Sequence, residues 1–207
     1  MKLIHLMLML CSHTAIAFNI VLAGGTGEMG RALSSSLVND GHDVTILCRN
    51  AFLAAAPARV TEEFGWLGKS FLSKHPTIRL RDWDGGDLLD IVGQDWIGWQ
   101  EDTLAKADAV VNLVGGFTQQ REMATERIIR ESYRVNPNVL QISVGPRDDE
   151  LDMFQPVIAR PLKMDRLQKC EEMVKMNCAN FECLRLEANR VEQGCHEIKK
   201  VIYDRLK

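Results

Sequence analysis

Gly24, Gly25, Gly27 and Gly30 stand in the stretch Val-Leu-Ala-Gly-Gly-Thr-Gly-Glu-Met-Gly-Arg, residues 21 to 31, where an apolar run gives way to an amphipathic one. Glycines so spaced bring bare backbone up to an anion. A tight turn uses glycine's access to positive φ, a phosphate can approach backbone that carries no Cβ, and a further glycine lets the next helix lie close on a sheet. The free N–H groups and positive dipole end of that helix then face the bound charge. Two spacings overlap. Gly25, Gly27 and Gly30 satisfy GxGxxG, whereas Gly24, Gly27 and Gly30 satisfy GxxGxxG, so spacing alone leaves the type of nucleotide site open. Gly24, Gly25, Thr26, Gly27, Glu28, Met29 and Gly30 are the expected phosphate-contacting residues.

The elements that must position this turn are legible on both sides of it. Phe18 to Ala23 reads as a short apolar strand, and Met29, Leu33 and Leu37 put an apolar stripe on the helix that follows. Gly41 ends the helix and Val44 to Cys48 is a second strand. The three pieces make a β-turn-α-β unit of about 30 residues, the setting a dinucleotide fingerprint requires. Sites that prefer NAD place an acidic residue about 20 positions beyond the glycines to take the ribose hydroxyls. Here the strand ends in Arg49 and Asn50. A guanidinium pairs bidentately with a 2′-phosphate, so Arg49 and Asn50 predict NADP(H) in preference to NAD(H). A solvated strand-end cation is the alternative reading of Arg49.

Further along, Thr77 to Trp83 alternates as a third strand, and the Asp84-Gly-Gly-Asp-Leu turn after it lies near where an adenine would sit. Trp96 to Ala107 reads as a helix with Trp96, Trp99 and Leu104 on a buried stripe, a core role being favoured over stacking on a base. Ala109 to Val114 is a nearly unbroken apolar strand, suited to a parallel sheet covered on both faces, and it ends in Gly115-Gly116. Thr118 to Val135 is a helix with Ile128, Ile129 and Tyr133 toward the sheet. Val139 to Val144 is a fifth strand, Pro146 to Pro161 a proline-punctuated loop, Met164 to Met176 a helix, Phe181 to Leu186 a sixth strand and Cys195 to Leu206 a closing helix. Strands alternating with helices predict an α/β Rossmann-type, doubly wound parallel sheet with helices on both faces, in a single domain.

Composition sets limits. At 207 residues and 46% hydrophobic content the chain supports one sizeable core. A formal charge of −3 without a clustered basic run argues against a nucleic-acid partner, and no apolar stretch reaches the ~20 residues of a membrane span. Residues 1 to 17 differ from the remainder, 18 to 207. Lys2 is followed by an apolar run and then by Ala15-Ile16-Ala17 before Phe18, which resembles a short signal peptide. The junction also resembles plastid presequences of algae with secondary plastids, so a plastid or secretory route is one expectation. An extension that stays attached in a cytoplasmic protein is the other. Without Cys11 of that leader the chain holds five cysteines and no CxxC pair, which fits buried thiols better than disulfides or a metal site.

With these pieces in place the chain resembles the short-chain dehydrogenase/reductase superfamily, in its atypical and extended NmrA-like and epimerase-like branches. The matching stretches are Gly24 to Gly30, Gly41 to Asn50, Asp108 to Gly116, and Glu171-Glu172 leading to Leu184-Arg185-Leu186. The resemblance implies NAD(P) bound over the carboxyl ends of the strands, with Val114, Gly115 and Gly116 among the cofactor contacts, and oxidoreductase or epimerase-type chemistry on a small-molecule substrate. It also implies a Ser or Thr after strand five and a Tyr with a Lys four residues on. Ser143 occupies the serine region and is the catalytic candidate at the family's own positions. No Tyr lies between Ser143 and strand six; Tyr203 and Lys207 spell YxxxK only at the chain's end. Where NmrA-like members carry a Lys four residues before the Glu, this chain has Leu167, with Lys163 and Lys169 out of register. Asp148, Asp149 and Arg160 of the loop are alternative proton donors. A cofactor-binding sensor or a structural subunit with a protein partner therefore stands beside the enzyme reading.

Overall fold

A computed structural model of the chain describes residues 16–59, 65–85, 98–115, 120–147, 164–187 and 189–207. Six strands form one parallel sheet: β1 (Asn19–Ala23), β2 (Asp43–Cys48), β3 (Arg79–Asp82), β4 (Ala109–Asn112), β5 (Leu140–Pro146) and β6 (Phe181–Leu186). Their order across the sheet is β3-β2-β1-β4-β5-β6, every pair parallel. The helices are α1 (Glu28–Asn39), α2 (Ala51–Ala55), α3 (Lys69–Lys74), α4 (Trp99–Thr103), α5 (Gln120–Val135), α6 (Met164–Asn177) and α7 (Val191–Leu206).

Period-2 alternation splits each central strand between two cores. Ile20 and Leu22 of β1, Ile46 of β2, Val111 of β4 and Ile142 of β5 pack under Leu33, Leu37, Ile198 and Ile202 of α1 and α7. Val21, Ala23, Leu47 and Val110 face the other way, onto Trp99, Leu104, Ala124 and Ile128. Both faces being covered, the middle strands are buried on both sides, and β1 and β4 run largely apolar, while β5 turns Gln141 and Ser143 toward the α5 side. The sheet reverses its strand order between β1 and β4, and the crevice outside the strand ends at that point is where ligands bind in open α/β sheets.

Two expectations about the helices change. The segment expected as one helix from Trp96 to Ala107 is a short α4 followed by a 3-10 turn at Leu104–Lys106, with Gly98 left-handed at its start; Trp96 lies outside the described residues. Trp99 is fully buried, edge-on to Trp83 at 5.5 Å between ring centroids, so these rings are core. Tyr133 does not face the sheet; it is 71% exposed. The buried residues of α5 are Arg121, Ala124, Thr125, Ile128, Ile129, Glu131 and Ser132, so the expected Ile128 and Ile129 are inside and four of the seven are polar or charged.

Candidate functional site

The glycine turn forms because each bare Cα is crowded or turned in a particular way. Gly24 has φ +78°, and a Cβ on it would sit 2.7 Å from the Leu113 carbonyl carbon, so the β1 and β4 ends interlock there. Gly24 is therefore the turn glycine, and the GxxGxxG spacing describes the geometry. At Gly25 a Cβ would press on Ile46 at 2.8 Å, and at Gly30 it would press on the Gly25 carbonyl at 2.6 Å, which is what lets α1 lie so close to the sheet. Gly27 is different. Its φ of −71° and ψ of 174° suit any residue, it is exposed, and a Cβ there would meet only the Gly24 oxygen at 3.6 Å. Packing among the described residues does not require a glycine at Gly27; an occupant of the cavity would.

Gly27 is also the N-cap of α1, and no side chain caps that helix. The first backbone N–H groups of a helix have no intrahelical acceptor, so here they face the cavity with the positive end of the dipole. These features fit a dinucleotide pyrophosphate.

The cavity has two lobes that meet at Gly24. One, of about 280 Å³, is lined by Gly24, Gly27, Glu28, Met29 and Gly30, by Leu113, by Val144 to Pro146 and by Leu186 and Glu187. The other, of about 130 Å³, lies toward β2 and β3 and is lined by Thr26, Cys48, Arg49, Trp83, Gly85 and Val114 among others. Gly65 closes against Thr26: a Cβ on it would meet the threonine Cβ at 2.5 Å. Among the expected contacts, Gly24, Thr26, Gly27, Glu28, Met29, Gly30, Arg49 and Val114 thus converge on one crevice. Gly25 lies beneath it. Asn50 is used otherwise, its side chain accepting the Leu53 N–H at 2.8 Å as the cap of α2. Gly115 follows β4 with φ +54°, and Gly116 lies outside the described residues. A larger groove of about 470 Å³ between α5 and α6, lined by Ile129, Tyr133, Met173 and Met176, shares no residue with the crevice.

Ser143 does not line either lobe. It is 2% exposed, and its Oγ accepts a hydrogen bond from Nη2 of Arg121 at 2.8 Å, on the α5 side of the sheet. Arg121 also donates to the Val144 carbonyl and is itself fully buried. Asn112 continues this polar layer. Its amide donates to Thr125 at 3.0 Å and its carbonyl accepts the Val114 N–H at 3.1 Å, fixing the turn after β4. Hydrophobic periodicity could not flag Arg121, because it sits on the buried stripe as a charged residue.

The YxxxK pair is far from the crevice. Tyr203 donates to Asp40 at 2.5 Å and meets His42 Nε2 at 3.1 Å, beside the start of β2 and hence at the opposite end of the sheet. Leu167 is buried and Lys169 pairs with Glu122, while Lys163, Asp148, Asp149 and Arg160 lie outside the described residues. Among the described residues lining the 280 Å³ lobe, the titratable groups are the carboxylates of Glu28 and Glu187. Sequence reasoning missed Glu187; its position at the end of β6 was the available signal.

All five described cysteines are free. Burial pushes the Cys48 thiol up to about 12, with Asp82 adding to the effect, and burial pushes Cys178 up to about 11. Such thiols are inert at neutral pH. Among the described residues no cluster of His, Cys, Asp or Glu could hold a metal ion, and no helix is long and apolar enough to cross a membrane.

The strand order, the glycine turn at its switch point and the crevice above it make a Rossmann-like α/β fold, which the chain shares with solved structures of a UDP-N-acetylglucosamine 4-epimerase, an NmrA mutant and an isoflavone reductase. The Lmo0794 protein from Listeria monocytogenes is similar with a TM-score of 0.53 and 18% identity, covering 89% of this chain and 92% of that one. WbmH of Bordetella bronchiseptica, solved in complex with NAD+, is similar with a TM-score of 0.56 and 12% identity, covering 90% and 73%. UDP-N-acetylglucosamine 4-epimerase from Bacillus cereus gives 0.55 and 16%, covering 92% and 76%. Identities this low speak for the fold alone. No protein-family model and no curated protein sequence matches the chain.

Proposed function

We propose that the chain binds NADP(H) across the glycine turn and acts as an atypical reductase or epimerase-type oxidoreductase on a small substrate. The observation that carries the binding reading is Gly27, a glycine that no packing contact among the described residues demands, set at the uncapped start of α1 on the cavity wall. The bound nicotinamide would supply hydride chemistry. The chain's own part is to hold the pyrophosphate on the α1 N-terminus, to meet the 2′-phosphate with Arg49 in the smaller lobe, and to seat the nicotinamide between Val144 to Pro146 and Leu186.

A second reading is favoured by a specific observation. Carbonyl reduction needs a proton donor within hydrogen-bond reach, and the described lining of the larger lobe has no Tyr, Lys or His, with Ser143 bonded to Arg121 beneath the sheet. That arrangement suits a cofactor-binding sensor, or a subunit that keeps the Rossmann body for assembly with a protein partner. We place the mature protein in a plastid or secretory compartment if residues 1 to 17 are removed, and N-terminal sequencing of the mature chain tests this.

Fluorescence titration with NADPH and NADH tests the cofactor assignment, followed by turnover on carbonyls and quinones. The expected result is a preference for NADPH of at least about tenfold that Arg49→Asp removes, since a good bidentate phosphate pair is worth a few kcal/mol. Equal affinities in the wild type overturn the NADP assignment. Tight binding without turnover selects the sensor or subunit.

A further inference from the structure

Beyond the dinucleotide crevice, the carboxyl ends of β5 and β6 hold a cleft of about 110 Å³ whose walls include Arg147, Arg185, Glu187, Arg190 and Glu197. Leu186 and Glu187 line both this cleft and the larger lobe, so the two spaces adjoin. We infer that the cleft takes the anionic group, carboxylate or phosphate, of the substrate that the proposed oxidoreductase site would act on. The inference rests on that reading of the site.

The charge arrangement supports it. The guanidinium groups of Arg147 and Arg190 both pair with the Glu187 carboxylate at this cleft. Arg185 lines the cleft from β6, but its guanidinium is engaged by α6, with Nε and Nη2 on the two oxygens of Glu171 at 2.5 and 3.1 Å. Glu187 bridges the other two arginines, pairing with Arg147 and, at 2.6 Å, with Nε of Arg190. The side chains of Arg147 and Arg190 are 48% and 60% exposed, and exposed pairs of this kind contribute little. The Glu187 carboxylate is therefore a replaceable occupant, held by weak pairs in a geometry that a ligand carboxylate or phosphate can reproduce bidentately. α7 starts at Arg190 with no side-chain cap, and Gln193 and Gly194 of its first turn line the cleft, so the positive helix end adds to the field. The volume admits a small anionic head, and the rest of such a molecule would extend past Leu186 into the larger lobe.

Competition by Glu187 gives the test opposite signs. Calorimetry at low ionic strength on the full chain, saturated with NADP+, measures binding of inorganic phosphate and of acetate. The expected result is binding of at least one anion, tightened about 3- to 10-fold in Glu187→Gln and weakened by a similar factor in Arg147→Gln and Arg190→Gln. Arg134→Gln, which removes the same charge from the exposed pair with Glu101, should leave binding unchanged. Thermal melts report whether each variant is folded. No binding of either anion by folded wild type at tens of millimolar overturns the inference, as does weaker binding in Glu187→Gln or equal losses in Arg134→Gln and Arg190→Gln. NADP+ affinity is measured in the same samples, so failure of the dinucleotide reading shows separately as loss of NADP+ binding.

Discussion

Replacing Gly27 with alanine separates binding from folding more cleanly than any other change in the crevice. The backbone at φ −71° and ψ 174° accepts alanine without strain, and the nearest atom to the new methyl is the Gly24 oxygen at 3.6 Å, an ordinary contact. Lower unfolded-state entropy favours the variant by about 0.4–1 kcal/mol. Alanine is a poorer N-cap than glycine, which costs roughly 0.5–1 kcal/mol. The two nearly cancel, so Tm should stay within about 3 °C for a chain of this size. Binding should not survive so well. The methyl would stand where a pyrophosphate meets bare backbone, and overpacking of that kind costs about 1–3 kcal/mol, or roughly 5- to 150-fold in Kd. Gly30→Ala is the contrast. Its Cβ would lie 2.6 Å from the Gly25 carbonyl, backbone against backbone, and the fold itself should weaken. Differential scanning fluorimetry beside NADPH titration reads both. Wild-type NADPH affinity in Gly27→Ala would refute the assignment of this turn to the phosphates, and a large fall in its Tm would show that packing demanded the glycine after all.

Glu28 stands on the lobe wall in the first turn of α1, where its charge opposes an incoming anion; Glu28→Gln should tighten NADPH about 2- to 5-fold at low salt, and weaker binding counts against the site. Arg121→Met strips the donors from Ser143 Oγ and the Val144 carbonyl and should lower stability by about 2–4 kcal/mol, whereas Ser143→Ala should cost about 1 kcal/mol and leave NADPH binding intact. A loss of turnover in Ser143→Ala with an unchanged Tm would instead make the hydroxyl catalytic. His42 accepts the Phe18 N–H on Nδ1 at 3.3 Å, which fits the neutral ring with its proton on Nε2. Burial holds its pKa below the ordinary 6.5, Asp40 partly offsetting this, so its contribution to stability is full above pH 6.5 and is lost as pH falls toward the folded value. Melts from pH 8 downward should fall more steeply for wild type than for His42→Gln; equal slopes would sink the assignment.

The sheet was legible because its middle strands are buried on both faces, so Ile20 to Ala23 and Ala109 to Val111 are unbroken apolar runs and β5 keeps apolar residues at Leu140, Ile142 and Val144. The glycine turn was legible because its residues are contiguous. What escaped depends on contacts between distant segments. Arg121 fills a core position as a cation, and only the fold shows that β5 supplies its acceptors. Tyr133 was misplaced because polar residues occupy much of the true buried stripe of α5, leaving the apolar signal off-centre. Asn50 looked like a cofactor contact at the end of β2, yet its side chain closes the first turn of α2. Glu187 gained interest only when β5 and β6 brought it beside Arg147 and the larger lobe.

Gly24 belongs to both lobes and is wedged against the β4 turn, so neither half of the crevice can shift without the other. Two fragments binding there would each lose translational and rotational freedom, whereas one molecule spanning the wedge loses it once. The turn thus works as a fulcrum for tethered recognition. On the proposed reading, selectivity for the intact dinucleotide over its mononucleotide halves would be a property of how β1 and β4 end, before any side chain of the lobes is counted.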